Sequence, residues 1–120
     1  MVTILLVEDD PAIRDSLAEC LAMEGYAVES AGDGAEALRR LGTPPRPDLV
    51  LADMVMPVMG GAELLRRIRA ERALAGLPVV MMTAALPPAG IPGANGYLAK
   101  PFEIEALFAV VGRLCRTGGA

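Results

Sequence analysis

A handful of residues in this chain could do chemistry together if the fold gathers them: the acidic run Glu8-Asp9-Asp10, Asp53 at the end of one apolar run, Thr83 at the end of another, and Lys100 just before a proline. Clustered carboxylates repel one another unless a cation joins them. The chain has no histidine and only two cysteines, so a hard, oxygen-liganded ion is favoured over a soft one. Mg²⁺ suits a site offering a couple of carboxylates, waters and phosphate oxygens. A lysine and a hydroxyl beside such an ion supply positive charge and a hydrogen bond for an incoming anion. Phosphoryl transfer needs mainly positioning and charge neutralisation, and a carboxylate in that setting can act as the nucleophile and form an aspartyl-phosphate. Each piece alone has a plainer reading. An acidic run before a helix is often a cap and dipole partner, a threonine can close a turn, and Lys-Pro is a common loop dipeptide. Their order, each at the end of a strand, is what chance explains poorly.

The elements that must position these residues alternate along nearly the whole chain. Val2 to Val7 is a short apolar run, consistent with a strand buried on both faces. Asp10 then suits a helix N-cap and Pro11 the first helical position. Ile13, Leu17 and Leu21 form an apolar stripe, and Gly25 stands where a C-terminal glycine would. A second strand is expected over Tyr26 to Ser30, a turn at Gly32-Asp33-Gly34, and a short helix from Ala35 to Leu41. Leu49 to Ala52 is a third buried strand running into Asp53, followed by a loop from Pro57 to Gly61 and a helix from Ala62 to Ala73 with Leu64, Leu65 and Ile68 inward. Pro78 to Met82 leads into Thr83, and Gly96 to Ala99 precedes Lys100-Pro101. A last helix begins after Phe102, with Leu107, Val110, Val111 and Leu114 on one face. This alternation implies an α/β domain with a parallel sheet and helices on both faces. Ligands in such sheets sit outside the carboxyl ends of the strands, which is where the acids, the threonine and the lysine fall.

The 120 residues fit one domain, taken as 1–120, and 53% hydrophobic content supplies a core built from aliphatic side chains, since aromatics make up only 3%. The net charge of −4 and the scattered arginines (Arg39-Arg40, Arg66-Arg67, Arg69) do not form the basic patch that nucleic acid requires, so direct nucleic-acid contact by this chain is not expected. There is no apolar run of membrane-spanning length and no signal-peptide pattern, so a cytoplasmic location and no membrane contact are expected. Cys20 and Cys115 both fall on apolar stripes and read as buried reduced thiols; a redox pair between the first and last helices is the alternative.

The stretches ILLVEDDP (Ile4–Pro11), LVLADMVMPVMGG (Leu49–Gly61), VVMMTA (Val79–Ala84) and NGYLAKPF (Asn95–Phe102) together resemble the response-regulator receiver family of two-component systems. The resemblance covers essentially the whole chain. It implies a flavodoxin-like, doubly wound, five-stranded parallel sheet of order 2-1-3-4-5, as in the chemotaxis member of the family. It further implies that Asp53 is the phosphoacceptor, that Asp9 ligates Mg²⁺ directly, and that Glu8 is its acidic partner acting through water. The backbone carbonyl of Val55 would complete the metal sphere. Thr83 would bond a phosphoryl oxygen, Lys100 would pair with the phosphoryl charge, and Tyr97 would be the aromatic switch that turns inward after phosphorylation. Asp10 is left as the helix cap. The Lys100-Pro101 bond is expected to be cis. A sensor histidine kinase or phosphotransfer protein would be the donor, and a downstream protein or output domain the receiver of the signal. The chain would be a phosphoacceptor that assists its own phosphorylation and dephosphorylation, not an enzyme in the ordinary sense.

Two departures from the family stand out. Only 17 positions separate Thr83 from Lys100, several fewer than usual, and residues 84–93 hold three prolines and two glycines. A normal helix is disfavoured there, so the fourth helix, between the fourth and fifth strands, is expected to be shortened or missing. Val55 and Ala85, at positions that tune phosphoryl lifetime in the family, are apolar and cannot hold an attacking water, which implies slow spontaneous dephosphorylation. The altered segment keeps one rival in view, a pseudo-receiver that signals through protein contacts without phosphorylation. A haloacid-dehalogenase-type phosphatase would need a second aspartate two residues after the nucleophile, where this chain has Val55. Nucleotide-binding glycine motifs do not follow the first strand.

Overall fold

The computed structural model describes residues 1–84 and 92–119, with side chains as far as Cys115 in the last helix. Five strands, β1 (Thr3–Val7), β2 (Ala27–Ala31), β3 (Leu49–Asp53), β4 (Val79–Thr83) and β5 (Gly96–Ala99), pair in parallel in the order β2-β1-β3-β4-β5. The helices are α1 (Pro11–Met23), α2 (Gly34–Leu41), α3 (Gly61–Ala70) and α4 (Ile104–Gly119), with a 3₁₀ turn at Arg72–Leu74. This is the doubly wound order that the resemblance implies. The expectation of a shortened helix between β4 and β5 falls on a segment of which residues 85–91 lie outside the described ones.

The period-two geometry of a strand divides the core in two. Ile4 and Leu6 of β1, Leu49 and Leu51 of β3, Val80 and Met82 of β4, and Leu98 of β5 pack with Leu21 of α1 and Leu107 and Val111 of α4. Their neighbours Leu5, Val7, Val50, Ala52, Val79 and Met81 pack on the other face with Ala37 and Leu41 of α2 and Leu64, Leu65 and Ile68 of α3. Strands covered on both faces must be apolar at every position, which is why β1, β3 and β4 read as continuous runs and not as alternating ones. Each fully buried leucine or isoleucine here contributes about 1.5–3 kcal/mol.

Local signals set the helix starts. Asp10 caps α1, its Oδ1 accepting from the N–H groups of Ala12 at 2.9 Å and Ile13 at 3.3 Å. Asp33 caps α2 through the Glu36 N–H at 2.8 Å, and the Glu36 carboxylate reaches back to the Gly32 N–H at 3.2 Å. After α1 the chain turns at Gly25 with φ of 100°, a conformation that suits glycine. α3 ends at Ala70, earlier than the expected Ala73, because Glu71 takes an extended backbone (φ −90°, ψ 118°) and the following 3₁₀ turn rotates Leu74 into the core. The apolar stripe of α1 is also less buried than its spacing suggests: Leu21 is fully covered and Leu17 half-covered, but Ile13, in the first turn, is 41% exposed. Cys20 and Cys115 are free thiols and half-buried, not fully buried. Burial, with the charge of Asp48 nearby, pushes the Cys115 thiol pKa up, as expected of an unreactive thiol. The Lys100-Pro101 bond is cis.

Candidate functional site

Parallel register carries the chemistry-bearing residues to one sheet edge. Val7 lies beside Ala52, Asp53 beside Met82, and Thr83 beside Ala99, so Glu8, Asp53, Thr83 and Lys100 emerge on adjacent strands at nearly one level. The Lys100 N–H donates to the Thr83 carbonyl at 2.7 Å and the Glu8 N–H to the Ala31 carbonyl at 3.0 Å, which extends the ladders one residue past the strands and fixes both backbones.

Glu8 and Asp53 are buried, 1% and 8% exposed, while Asp9 is exposed. One carboxylate oxygen from each of the three lies within 4.8 Å of the others, close enough to share a single ion. The Lys100 ammonium stands between two of them, with Nζ 2.5 Å from Asp53 Oδ2 and 3.3 Å from Glu8 Oε1. The remaining oxygens are held by backbone: Asp53 Oδ1 accepts the Val55 N–H at 3.1 Å, and Glu8 Oε2 accepts the Asp10 N–H at 3.2 Å. Three carboxylates against one ammonium leave the pocket with an excess of negative charge. The electrostatics carry that signature. Burial pushes the Glu8 carboxyl pKa up and the Asp53 charge adds to the rise, against the opposing pull of the Asp10 N–H and of Lys100. Burial also costs the Lys100 ammonium, but its hydrogen bond to Asp53 and the charges of Asp53 and Glu8 outweigh that cost and hold its pKa above the ordinary lysine value. An all-oxygen donor set with surplus negative charge fits a hard divalent cation, as residue type alone suggested.

Thr83 is buried at 8% exposure beside this group, and Tyr97, two strand positions before Ala99, is 38% exposed. Val55 is 82% exposed at the pocket rim. The pocket thus gathers Glu8, Asp9 and Asp53 with Lys100 and sets Thr83 alongside; Asp10 is turned to helix capping. Ala85 lies outside the described residues.

Three supports for the pocket were not legible as such in the sequence. Arg14, one turn into α1, donates from Nη1 to the Glu8 carbonyl at 3.1 Å and braces the end of β1; its position six residues after Glu8, on a helix that starts at once, was the available signal. Gly61 must be glycine because a Cβ there would collide with the Asp53 carbonyl oxygen and the Met81 methyl group. Gly60 leaves α3 without a side-chain cap, and a Cβ on it would stand 2.8 Å from the Met54 carbonyl oxygen. The β3–α3 loop is folded back tightly over Asp53, and Val58 within it adopts a φ of 66°, a strained value for a β-branched residue.

A family profile, the response regulator receiver domain, matches residues 4–112. Among curated relatives, response regulator MprA of Mycolicibacterium vanbaalenii is 42% identical over 120 residues, an alignment that takes in 96% of this chain and 51% of the relative. The chain therefore spans about half the length of the curated relatives it matches. Among solved structures, the signal receiver domain of a signal transduction histidine kinase from Syntrophus aciditrophicus superimposes with a TM-score of 0.89 at 32% identity, covering 98% of this chain and 92% of that one. Response regulator TrrA of Thermotoga maritima, solved in complex with Mg²⁺ and BeF, gives a TM-score of 0.86 at 32% identity over 95% of this chain and 99% of its own. Among the described residues no helix is long and apolar enough to cross a membrane. With the profile spanning nearly all of the sheet and its flanking helices, the chain belongs to the response regulator receiver domain family.

Proposed function

We propose that this domain, taken as residues 1–120, is a phosphorylation switch that accepts a phosphoryl group on Asp53 from the phosphohistidine of a sensor kinase or phosphotransfer protein in the cytoplasm. The observation that carries the reading is the Lys100 ammonium 2.5 Å from the Asp53 carboxylate, inside a cluster that also holds Glu8 and Asp9. Mg²⁺ fits the oxygen donors of that cluster. Glu8, Asp9, Asp53 and the Val55 carbonyl are the groups that would hold it, and when bound it neutralises charge on the phosphoryl oxygens.

The chain's own residues do the rest. An Asp53 carboxylate oxygen forms the new P–O bond while the P–N bond of the donor breaks, and the donor imidazole leaves with the electron pair. The Val55 N–H at 3.1 Å holds the Asp53 carboxylate plane for that approach. In this reading Lys100 passes from the carboxylate to a phosphoryl oxygen, and the Thr83 hydroxyl donates to another. Movement of Thr83 toward the phosphoryl group opens room for Tyr97 to turn inward, which alters the surface around β5 read by a downstream protein or an output domain. Domain and partner form a signalling couple, with no substrate turned over.

The test is intact-mass measurement after incubation with a small-molecule phosphodonor, with and without Mg²⁺, beside Asp53→Asn. A Mg²⁺-dependent phosphoryl adduct that disappears in the variant supports the reading. No adduct under either condition supports the pseudo-receiver, and the partners would then be sought independently of phosphorylation. Val55 offers no group to orient a hydrolytic water, so the adduct should decay slowly; rapid phosphate release in the absence of kinase would refute that part.

A further inference from the structure

A cavity lies at the opposite end of the sheet from the acidic pocket, where α2 and α3 finish. It has a volume of about 610 Å³. Leu38, Leu41, Pro44 and Leu74 line it with apolar surface, and Arg46 and Arg67 line it with charge. This volume is within the range of sites that seat a bulky group, and such sites pair an apolar lining with a few polar anchors.

The groove is preformed. Arg40 donates to the carbonyls of Thr43 at 2.9 Å and Pro45 at 3.0 Å and pairs with Glu29 at 2.6 Å, so the proline-rich wall between α2 and β3 is braced from behind. Arg46 uses one N–H on the Ala73 carbonyl at 3.4 Å, and Arg67 uses its Nε–H on Glu63 at 2.8 Å. A guanidinium has five donors, and among the described residues the others on these two have no protein partner. Glu71 also lines the groove and offsets part of its charge.

Charge is distributed unevenly along the chain in the same sense. Residues 39–75 carry seven arginines and four acids, a balance of +3, while the remainder carries four basic and eleven acidic residues, a balance of −7. Arg39, Arg40, Arg67 and Arg69 fall at the C-terminal turns of α2 and α3, where they also offset the helix dipoles. Arg46 is on the loop and has no such duty.

We propose that this groove binds an acidic peptide segment of a partner protein, one bulky apolar side chain entering between Leu38, Leu41 and Leu74 and flanking carboxylates pairing with Arg46 and Arg67. Guanidinium forks suit carboxylates, and an acidic partner avoids the rest of a surface that carries net negative charge. The interaction is separate from the phosphoryl site and does not depend on it.

The test uses the full chain, ¹⁵N-labelled, titrated with a capped peptide of one phenylalanine flanked on each side by three glutamates. Shift changes should be confined to residues 38–46 and 67–74, with affinity at least tenfold weaker in Arg46→Glu and falling with added salt. A peptide with glycine for phenylalanine should bind at least tenfold more weakly. Arg46→Gln, which keeps a polar side chain, serves as the second variant, and the undisturbed spectrum away from the groove reports that both variants are folded. Four results would each overturn the proposal: no shifts at millimolar peptide, equal response to a lysine-for-glutamate peptide, unchanged affinity in both variants, or the same residues shifting with protein concentration alone, which would assign the groove to a second copy of the chain.

Discussion

Replacing Lys100 by methionine tests the electrostatic account of the pocket directly. Methionine keeps most of the apolar stem and removes the ammonium that lies 2.5 Å from Asp53 and 3.3 Å from Glu8. Breaking a fully buried ion pair costs about 3–5 kcal/mol, because the partner charge is left unpaired. Here the lysine side chain is 28% exposed, so water screens part of the loss. Glu8, whose pKa is already raised, can limit the rest by taking a proton. A destabilisation of about 2 kcal/mol follows by that discounting. The assay is urea unfolding at pH 7.5, in EDTA and in 10 mM Mg²⁺, with m-values compared to confirm that the unfolded state is the same. Removing the ammonium makes the pocket more negative, and a tenfold tighter ion affinity at saturation restores about 1.4 kcal/mol. The gap between wild type and variant should therefore be large in EDTA and shrink by more than half in Mg²⁺. A gap under about 0.5 kcal/mol in EDTA, or an equal gain from Mg²⁺ in both proteins, would refute the view that Lys100 balances the carboxylates.

Other perturbations have equally definite outcomes. The folded chain holds the Glu8 proton more tightly than the unfolded one, whose value is near 4.5, so this group contributes most below that pH and its contribution falls as pH rises through the folded pKa. In EDTA, the stability of wild type relative to Glu8→Gln should accordingly decline as pH rises above 4.5; a rise instead would contradict the sign. Gly61→Ala forces a methyl group against the Asp53 carbonyl and Met81 and should cost about 1–3 kcal/mol in thermal unfolding while lowering phosphoryl uptake, whereas full stability would show that the loop relaxes freely. Arg69 bonds the carbonyls of Gly93, Ala75 and Leu77 and the Asn95 side chain, tying α3 to the approaches of β4 and β5. Arg69→Ala should lose about 2–3 kcal/mol, and Arg69→Lys should recover little of it because one ammonium cannot span that fork. Near-complete rescue by lysine would reduce the role of Arg69 to simple charge.

Much of this architecture follows from residue type and spacing. Continuous apolar runs at Ile4–Val7, Leu49–Ala52 and Val79–Met82 can satisfy a sheet only if helices cover both faces, and Asp10, Asp33 and Gly25 mark where those helices begin and end through bonds made within a few residues. The acids, Thr83 and Lys100 were identifiable because parallel strands deliver every residue that follows a strand to the same edge. Tertiary structure decided what depends on distances across the chain. Which carboxylate oxygen meets Lys100 depends on β1, β3 and β5 lying at one level, and the 2.5 Å contact to Asp53 joins residues 47 positions apart. Arg14 reads as one more helix-surface charge until α1 is docked and its guanidinium meets the Glu8 carbonyl. The early end of α3 reflects the pull of Leu74 into a core assembled from α2, α3 and the sheet, which no local pattern encodes. Residue types therefore stated which chemistry was available, and packing across the sheet decided which atoms stand close enough to perform it.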